Sequence, residues 1–429
     1  MVTVTGAEIK AAVEAQRDWV SRLFDQLRQD GLDEPGVSRD PYGDGEQRAH
    51  ASVAAIARAL GLEMSGDAAA NLYMTLPGAD RALPQIIVGS HLDSVPHGGN
   101  FDGAAGVVAG LAAIAALRQC GVATARDLTV MGIRAEESIW FQVSYIGSRG
   151  ALGTLPDGAL DVRRIDTGRT LADHIATCGG DPASLAAGQR HLDPASIKAY
   201  LELHIEQAPS LMEAGKPVGI CTGIPGNFRY PNARIEGSDD HVGLPRRFRR
   251  DAAMAGAEFA MAMDALWAER EARGIPMACT IGRFHTDTAR HGLTIVPGTF
   301  HFSLDVRAYD ETVLADLDRA VDAIVAGIEQ RRGVRFHLGA KTRASVGVAD
   351  AAIRTQLERC LSVLNMSALE LGSPASHDGA AFAACGVPIG MIFVRNSNGS
   401  HNPFEAMTIP DFLAGTALLA LWLSENCAS

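Results

Sequence analysis

Over roughly the first 75 residues apolar positions recur at helical spacing, as in "VEAQRDWVSRLFDQL" and "AHASVAAIARALGL", which predicts helices there. Further on they gather into short unbroken runs: "QIIVGSHL", "DLTVMGIRA", "AYLELHIEQ" and, near the C-terminus, "PIGMIFVRN". Alanine-rich or mixed stretches separate these runs, among them "GVVAGLAAIAAL" from Gly106 and a helix expected from about Ala351 with Asp350 as its N-cap. Continuous apolar strands alternating with helices predict an α/β fold with a mostly parallel sheet covered on both faces.

The middle of the chain follows another pattern. "FRYPNARIEGS", a long helix from about Arg250 to Arg273, "ACTIGRF", "GTFHFSLDVRAYD", a helix from about Glu311 to Arg331 and "VRFHLGA" succeed one another. The order strand, helix, strand, strand, helix, strand predicts a small α+β module with a four-stranded antiparallel sheet. The expected organisation is a discontinuous α/β domain over 1–212 and 343–429, interrupted by an inserted domain over 213–342. There is no internal repeat and no low-complexity segment.

Two domains also suit 429 residues, 47% of them hydrophobic. A net charge of −12 argues against nucleic acid or an anionic membrane surface as partner. Seven scattered cysteines without a CxxC pair argue for a reducing compartment and against a disulfide framework. The charged, helix-like start "MVTVTGAEIKAAVEAQRDWV" does not read as a signal peptide, and the longest apolar run is too short to span a membrane. A cytoplasmic protein is expected.

In open α/β sheets, ligands bind beyond the carboxyl ends of the parallel strands. Four segments put metal-type residues there. His91 and Asp93 close the first run, and Asp102 follows in "GGNFDG" before the alanine-rich helix. Glu136 and Glu137 close "LTVMGIRAEE", His204 lies near the end of "AYLELHIE", and His401 stands in "SNGSHNPFE". Taken singly, an HxD at a strand end, a Glu-Glu pair or one histidine usually serves packing or a solvated face. Together, after four separate apolar strands, they predict a metal centre. Histidines with carboxylates suit zinc, manganese or cobalt better than calcium, which prefers an oxygen shell. Two neighbouring cations need a shared anion, and one of two adjacent glutamates can bind metal while the other acts as base toward water.

The segments "GSHLDSVPHGGNFDGAAGV", "RAEES", "GSRGALG", "LELHIEQAPSLMEAG", "HVGLPRRFRRDA", "IVPGTFHFSLDVR", "SHDGAAFA" and "GMIFVRNSNGSHNPFE", in this order, resemble the hydantoinase/carbamoylase family of dinuclear metal amidohydrolases. That family includes N-carbamoyl-L-amino-acid hydrolases, allantoate amidohydrolases and bacterial β-ureidopropionases, within the superfamily of zinc aminoacylases and peptidases. The resemblance implies a zinc-exopeptidase-like catalytic domain, a lid and dimerisation domain, a homodimer, and two divalent metal ions, with manganese, zinc, cobalt and nickel all suited. One metal would be held by His91, Asp102 and His204, the other by Asp102, Glu137 and His401. Asp93 would orient His91, and Glu136 would take a proton from water between the metals and pass it to the leaving amine. Gln207 would lie in the pocket. His241 in the lid would stabilise the oxyanion, and Arg307 would grip a substrate carboxylate. His377 would line the pocket or cap the following helix. The implied substrate is a small carboxylate-bearing molecule, an N-carbamoyl amino acid or related ureido acid.

This chain departs from the family pattern around the substrate. Thr294 and Ile295 stand before "VPG" where an asparagine is usual, and Leu244, Pro245 and Arg246 replace small polar residues. Trp140 and Phe141 follow the glutamate pair, with Trp140 as a candidate substrate contact, and Pro374 and Ser376 replace glycines. Bulkier walls suggest a larger or flatter ligand. The alternatives are an aminoacylase or dipeptidase and, prompted by Trp140 and Phe141, a hydrolytic deaminase of an aromatic amino acid. A non-catalytic binding protein is disfavoured, since the base and all five ligands are present.

Overall fold

The apolar run from Gly106 forms the body of the helix Ala104–Gln119, whose residues from Ala104 to Leu117 are all buried. A helix apolar on every side needs cover on every side. This one packs against the large sheet and against the C-terminal helix Ile409–Cys427. The computed structural model describes residues 4–427. It falls into two units, the first ending at Ile224 and resuming at Gly347, the second running Pro225–Val346.

The first unit is built on an eight-stranded sheet: β1 Glu63–Gly66, β2 Leu72–Leu76, β3 Gln85–His91, β4 Leu128–Ile133, β5 Ile197–Ile205, β6 Val218–Cys221, β7 Leu369–Leu371 and β8 Ile389–Val394. In space the order is β7-β6-β8-β5-β3-β4-β2-β1. The four strands β8, β5, β3 and β4 are parallel, while β6 against β8, β2 against β4 and β1 against β2 are antiparallel. The parallel character is therefore concentrated at the centre, where β4 and β8 are buried at every position. Register places His91 beside Ile133 and His204 beside Phe393, so four strand ends emerge along one edge.

The helices expected at the start are Gly6–Glu14, Arg17–Asp30 and Asp44–Ala59. The helical run stops at Gly61, with φ 64°, and β1 and β2 take over where helix was expected to continue. Asp350 caps Ala351–Val363 as its sequence position suggests, its side chain accepting from the N–H groups of Ala352 and Ile353.

In the second unit two long strands, Gly226–Glu236 and Thr299–Ala308, pair antiparallel. The expected four-stranded sheet is six-stranded, because each outer position is split into two short strands. Met277–Thr280 and Phe284–Thr286 share one edge, Arg335–His337 and Thr342–Ala344 the other. Burial alternates along Thr299–Ala308, and the inner face packs on the helices Ala252–Ala272 and Glu311–Arg332. Pro231, which has no N–H to give the ladder, sits at the register shift in Gly226–Glu236. The boundaries lie at 225 and 346 rather than 213 and 342, because β6 joins the large sheet while Thr342–Ala344 pairs with the long strand. No helix among the described residues is long and apolar enough to cross a membrane.

Candidate metal centre

The turn bearing Asp102 rests on two close approaches. At Gly103, φ 65°, a Cβ would stand 2.5 Å from the His91 ring, and at Gly106 one would stand 2.4 Å from the Leu203 carbonyl oxygen. Only glycine fits both. The N–H groups of Phe101 and Asp102 donate to Glu405 Oε1 at 2.8 and 3.2 Å. The fully buried guanidinium of Arg39 donates to the Leu92 carbonyl at 2.7 Å and to Asn100 Oδ1 at 3.1 Å.

From this turn Asp102 gives one oxygen to each side. Its Oδ1 lies 3.5 Å from His91 Nε2 and 3.2 Å from His204 Nε2. Its Oδ2 lies 3.6 Å from His401 Nε2, which is 3.3 Å from Glu137 Oε1. Donor atoms around one cation at ~2.0–2.1 Å in tetrahedral array stand about 3.3–3.4 Å apart, so this spacing matches a coordination shell. The triads His91–Asp102–His204 and Asp102–Glu137–His401 each keep their donors within 4.8 Å of one another. The second nitrogens of the two buried histidines are occupied: His91 Nδ1 faces the Asp93 carbonyl at 3.1 Å, and His204 Nδ1 faces the Ile205 carbonyl at 2.9 Å. A ring N–H spent there turns the Nε2 lone pair toward Asp102, and on His204 that lone pair also meets the Gly103 N–H at 3.1 Å. The residues fit two divalent cations sharing Asp102.

Electrostatics agrees with that fit. Burial opposes a charge on His91, yet the Asp102 and Asp93 carboxylates outweigh it and raise the imidazole well above its ordinary value. Burial would raise Asp102, but His204 and His91 hold it well below the carboxylate range. A cation between these groups would displace the imidazole proton, because a ligating histidine must be neutral.

The two glutamates are fixed by a third carboxylate. Asp93 Oδ1 accepts the Glu136 N–H and Oδ2 the Glu137 N–H, each at 3.0 Å. Ala135 just before them has φ 54°, and its N–H goes to Glu46 Oε1 at 3.1 Å. Glu46 also pairs with Arg134 at 2.8 Å. Left-handed φ recurs at Gln207 and His401, 65° and 58°, and each such residue costs on the order of 1 kcal/mol. Burial pushes the Glu136 carboxyl well above its ordinary value; His91 pulls it down, while Glu137, Asp378 and Asp93 push it further up.

Gln207 joins the cluster, its Nε2 donating to Asp102 Oδ2 at 2.7 Å, as does the Ser400 hydroxyl. His377 is buried, its Nε2 2.8 Å from Ser373 Oγ and its ring 4.4 Å from that of His204. Trp140 is only 7% exposed: its N–H donates to the Ser94 carbonyl at 2.9 Å, and Arg164 lies over its ring. It and the fully buried Phe141 belong to a small core with Tyr42 and Ile146, so packing rather than a ligand takes up the indole. His241 and Arg307 lie in the second unit. His241 is exposed, pairs with Ile295 across a short ladder, and accepts the Gly243 N–H on Nδ1 at 3.1 Å. Arg307 grips the Asp305 carboxylate with Nε at 3.0 Å and Nη2 at 3.2 Å.

Sequence reasoning passed over four residues that shape the centre: Arg39, Glu202, Asp378 and Glu405. Glu202 accepts from the Ser90 and Tyr200 hydroxyls, and Asp378 from Ser148. Glu202, Asp378 and Glu405 were within reach, since each lies inside a motif already singled out. Arg39 is 63 positions from Asp102, and nothing near it signals its place.

The model for "Peptidase family M20/M25/M40" matches residues 87–425. An N-carbamoyl-L-amino acid amidohydrolase of Geobacillus stearothermophilus is 35% identical over 410 residues, covering 95% of this chain and 97% of that one. The allantoate amidohydrolase of Escherichia coli (strain K12) is 32% identical over 375 residues, with 86% and 87% covered. A crystal structure of a hydantoinase/carbamoylase family amidase from Burkholderia ambifaria superposes with a TM-score of 0.79 at 28% identity, covering 96% of this chain and 98% of its own.

Proposed function

The chain belongs to peptidase family M20/M25/M40 and to its hydantoinase/carbamoylase amidohydrolases, and on that footing we propose that it hydrolyses a linear ureido C–N bond in a small carboxylate-bearing molecule, an N-carbamoyl amino acid first. The observation that carries this reading is Asp102, one oxygen toward each triad, with Glu136 buried and held by Asp93, the same carboxylate that faces His91. Two cations held by His91–Asp102–His204 and Asp102–Glu137–His401 would polarise the substrate carbonyl and acidify the attacking water.

The chain's own groups do the rest. Glu136, raised by burial, is a better proton acceptor than a solvated glutamate. It takes the proton from water and returns it to the leaving nitrogen, and for a carbamoyl substrate the products are an amino acid, carbon dioxide and ammonia. Asp93 keeps Glu136 and Glu137 in their separate tasks through the two backbone bonds. His241 donates to the developing oxyanion, and Arg307, oriented by Asp305 through Nε and Nη2, supplies positive charge toward a substrate carboxylate. The working form is a homodimer through the second unit. Manganese or zinc is assigned, with cobalt and nickel compatible with the same donors. Seven free thiols fit a reducing cytoplasm. The aromatic deaminase alternative rested on Trp140 and Phe141, and both are committed to packing.

The test is ammonia release by manganese-loaded protein from N-carbamoyl amino acids, allantoate, N-acyl amino acids and dipeptides, with Glu136→Gln as control. Release from a ureido acid that disappears in the control is the expected result. Turnover confined to acyl or peptide substrates would replace the proposal with an aminoacylase or dipeptidase.

A further inference from the structure

The chain is acidic, with net charge −12, yet one part of the second unit is densely positive. A cavity of about 660 Å³ is lined by Arg246, Arg247, Arg249, Arg250, Arg331 and Arg332. An adjoining one of about 790 Å³ shares four of these and adds Asp251 and Glu258.

The two carboxylates are already engaged. Glu258 Oε1 takes Arg331 Nη2 at 2.8 Å, and its Oε2 takes Arg332 Nε. Asp251 caps the helix Ala252–Ala272, accepting the Met254 N–H at 3.0 Å. Burial would raise the Glu258 carboxyl, but Arg331 and Arg332 keep it below its ordinary value. Arg249 and Arg250 are held by neutral acceptors, the carbonyls of Leu244 at 2.7 Å and Gly333 at 2.8 Å. These bonds orient the guanidinium groups and leave their charge unmatched. Arg246 and Arg247 pair with no carboxylate among the described residues. Six guanidinium groups facing two occupied carboxylates repel one another, and an anion from solution relieves that repulsion.

We propose that this cavity binds a small anion carrying two or more phosphate groups. A single carboxylate engages one arginine fork, whereas a chain of phosphates presents enough oxygens for several, and the planar fork matches phosphate geometry. Free oligophosphate and a nucleoside diphosphate share this chemistry. Phe248 separates them: it is 58% exposed, with the Arg247 guanidinium 4.5 Å from its ring centroid, and its open face can stack on a base.

The test is calorimetric titration of the full chain with inorganic tripolyphosphate, pyrophosphate and ADP. The Arg246→Ala/Arg247→Ala protein, brought to the same metal content, serves as reference, so that heat from metal chelation cancels. A second variant, Arg331→Ala, removes a fork from the other wall. Saturable binding that both variants weaken by about tenfold or more, and that salt weakens further, is expected. ADP tighter than pyrophosphate identifies a nucleotide; equal affinities identify the phosphates alone. Binding unchanged in both variants, or matched by sulfate at equal ionic strength, overturns the proposal. So does a change of subunit mass in light scattering without any change in anion binding, which would make this face a contact between chains.

Discussion

Two concentrations of charge in this chain are built in opposite ways. At the carboxyl edge of the large sheet Asp93, Asp102 and Glu405 are buried, and each of the three carboxylates meets donors from the surrounding fold. In the second unit six arginines line an open cavity: Glu258 pairs with two of them, carbonyls hold Arg249 and Arg250, and Arg246 and Arg247 meet no carboxylate among the described residues. Unmatched buried charge costs several kcal/mol, so the fold itself must provide its partners. Charge at the surface is tolerated unmatched. A buried cluster therefore displays its own wiring, and an exposed one displays what it lacks.

The strongest test of this contrast is Asp102→Ala. Removing the shared anion is expected to empty both positions and take activity below detection, with bound metal measured by mass spectrometry. Retention of both metals would mean that Asp102 is not their bridge. Glu136→Gln comes next: it should keep both metals and lower kcat by about 10²–10⁴-fold. Asp93→Asn replaces one of two accepting oxygens by an amide and should weaken metal affinity or activity about 10–100-fold, read by competition with a chelator.

Smaller effects belong to the walls. Trp140→Phe deletes the indole bond to Ser94 and should cost about 1 kcal/mol in denaturant unfolding, with kcat/KM nearly unchanged. A large rise in KM without loss of stability would return Trp140 to the substrate. Arg247→Ala on the open cavity should alter unfolding stability by less than about 0.5 kcal/mol. A loss as large as that at Trp140 would mean that this guanidinium is tied into the fold.

The proposed ligands were legible as candidates because a parallel sheet sends residues at its strand ends to one edge, and each of His91, Glu137, His204 and His401 closes or follows a continuous apolar run. Asp350 and the two long helices of the second unit were legible for similarly local reasons, a cap and a 3.6-residue period. What stayed hidden depends on distant pairing. Arg39 acts on loop carbonyls far along the chain, and β6 belongs to the first unit only because β7 and β8 flank it. Trp140 shows the limit of proximity in sequence: three residues after a metal-type glutamate, its side chain turns into a core with Arg164 over its ring.

In the proposed centre one aspartate serves two positions, which would link their occupancies. The first cation would draw on the negative charge that the second needs, so the two would not be filled as equals. A metal titration of this protein should resolve two unequal dissociation constants, and the interval between them measures how far the charge of Asp102 is divided.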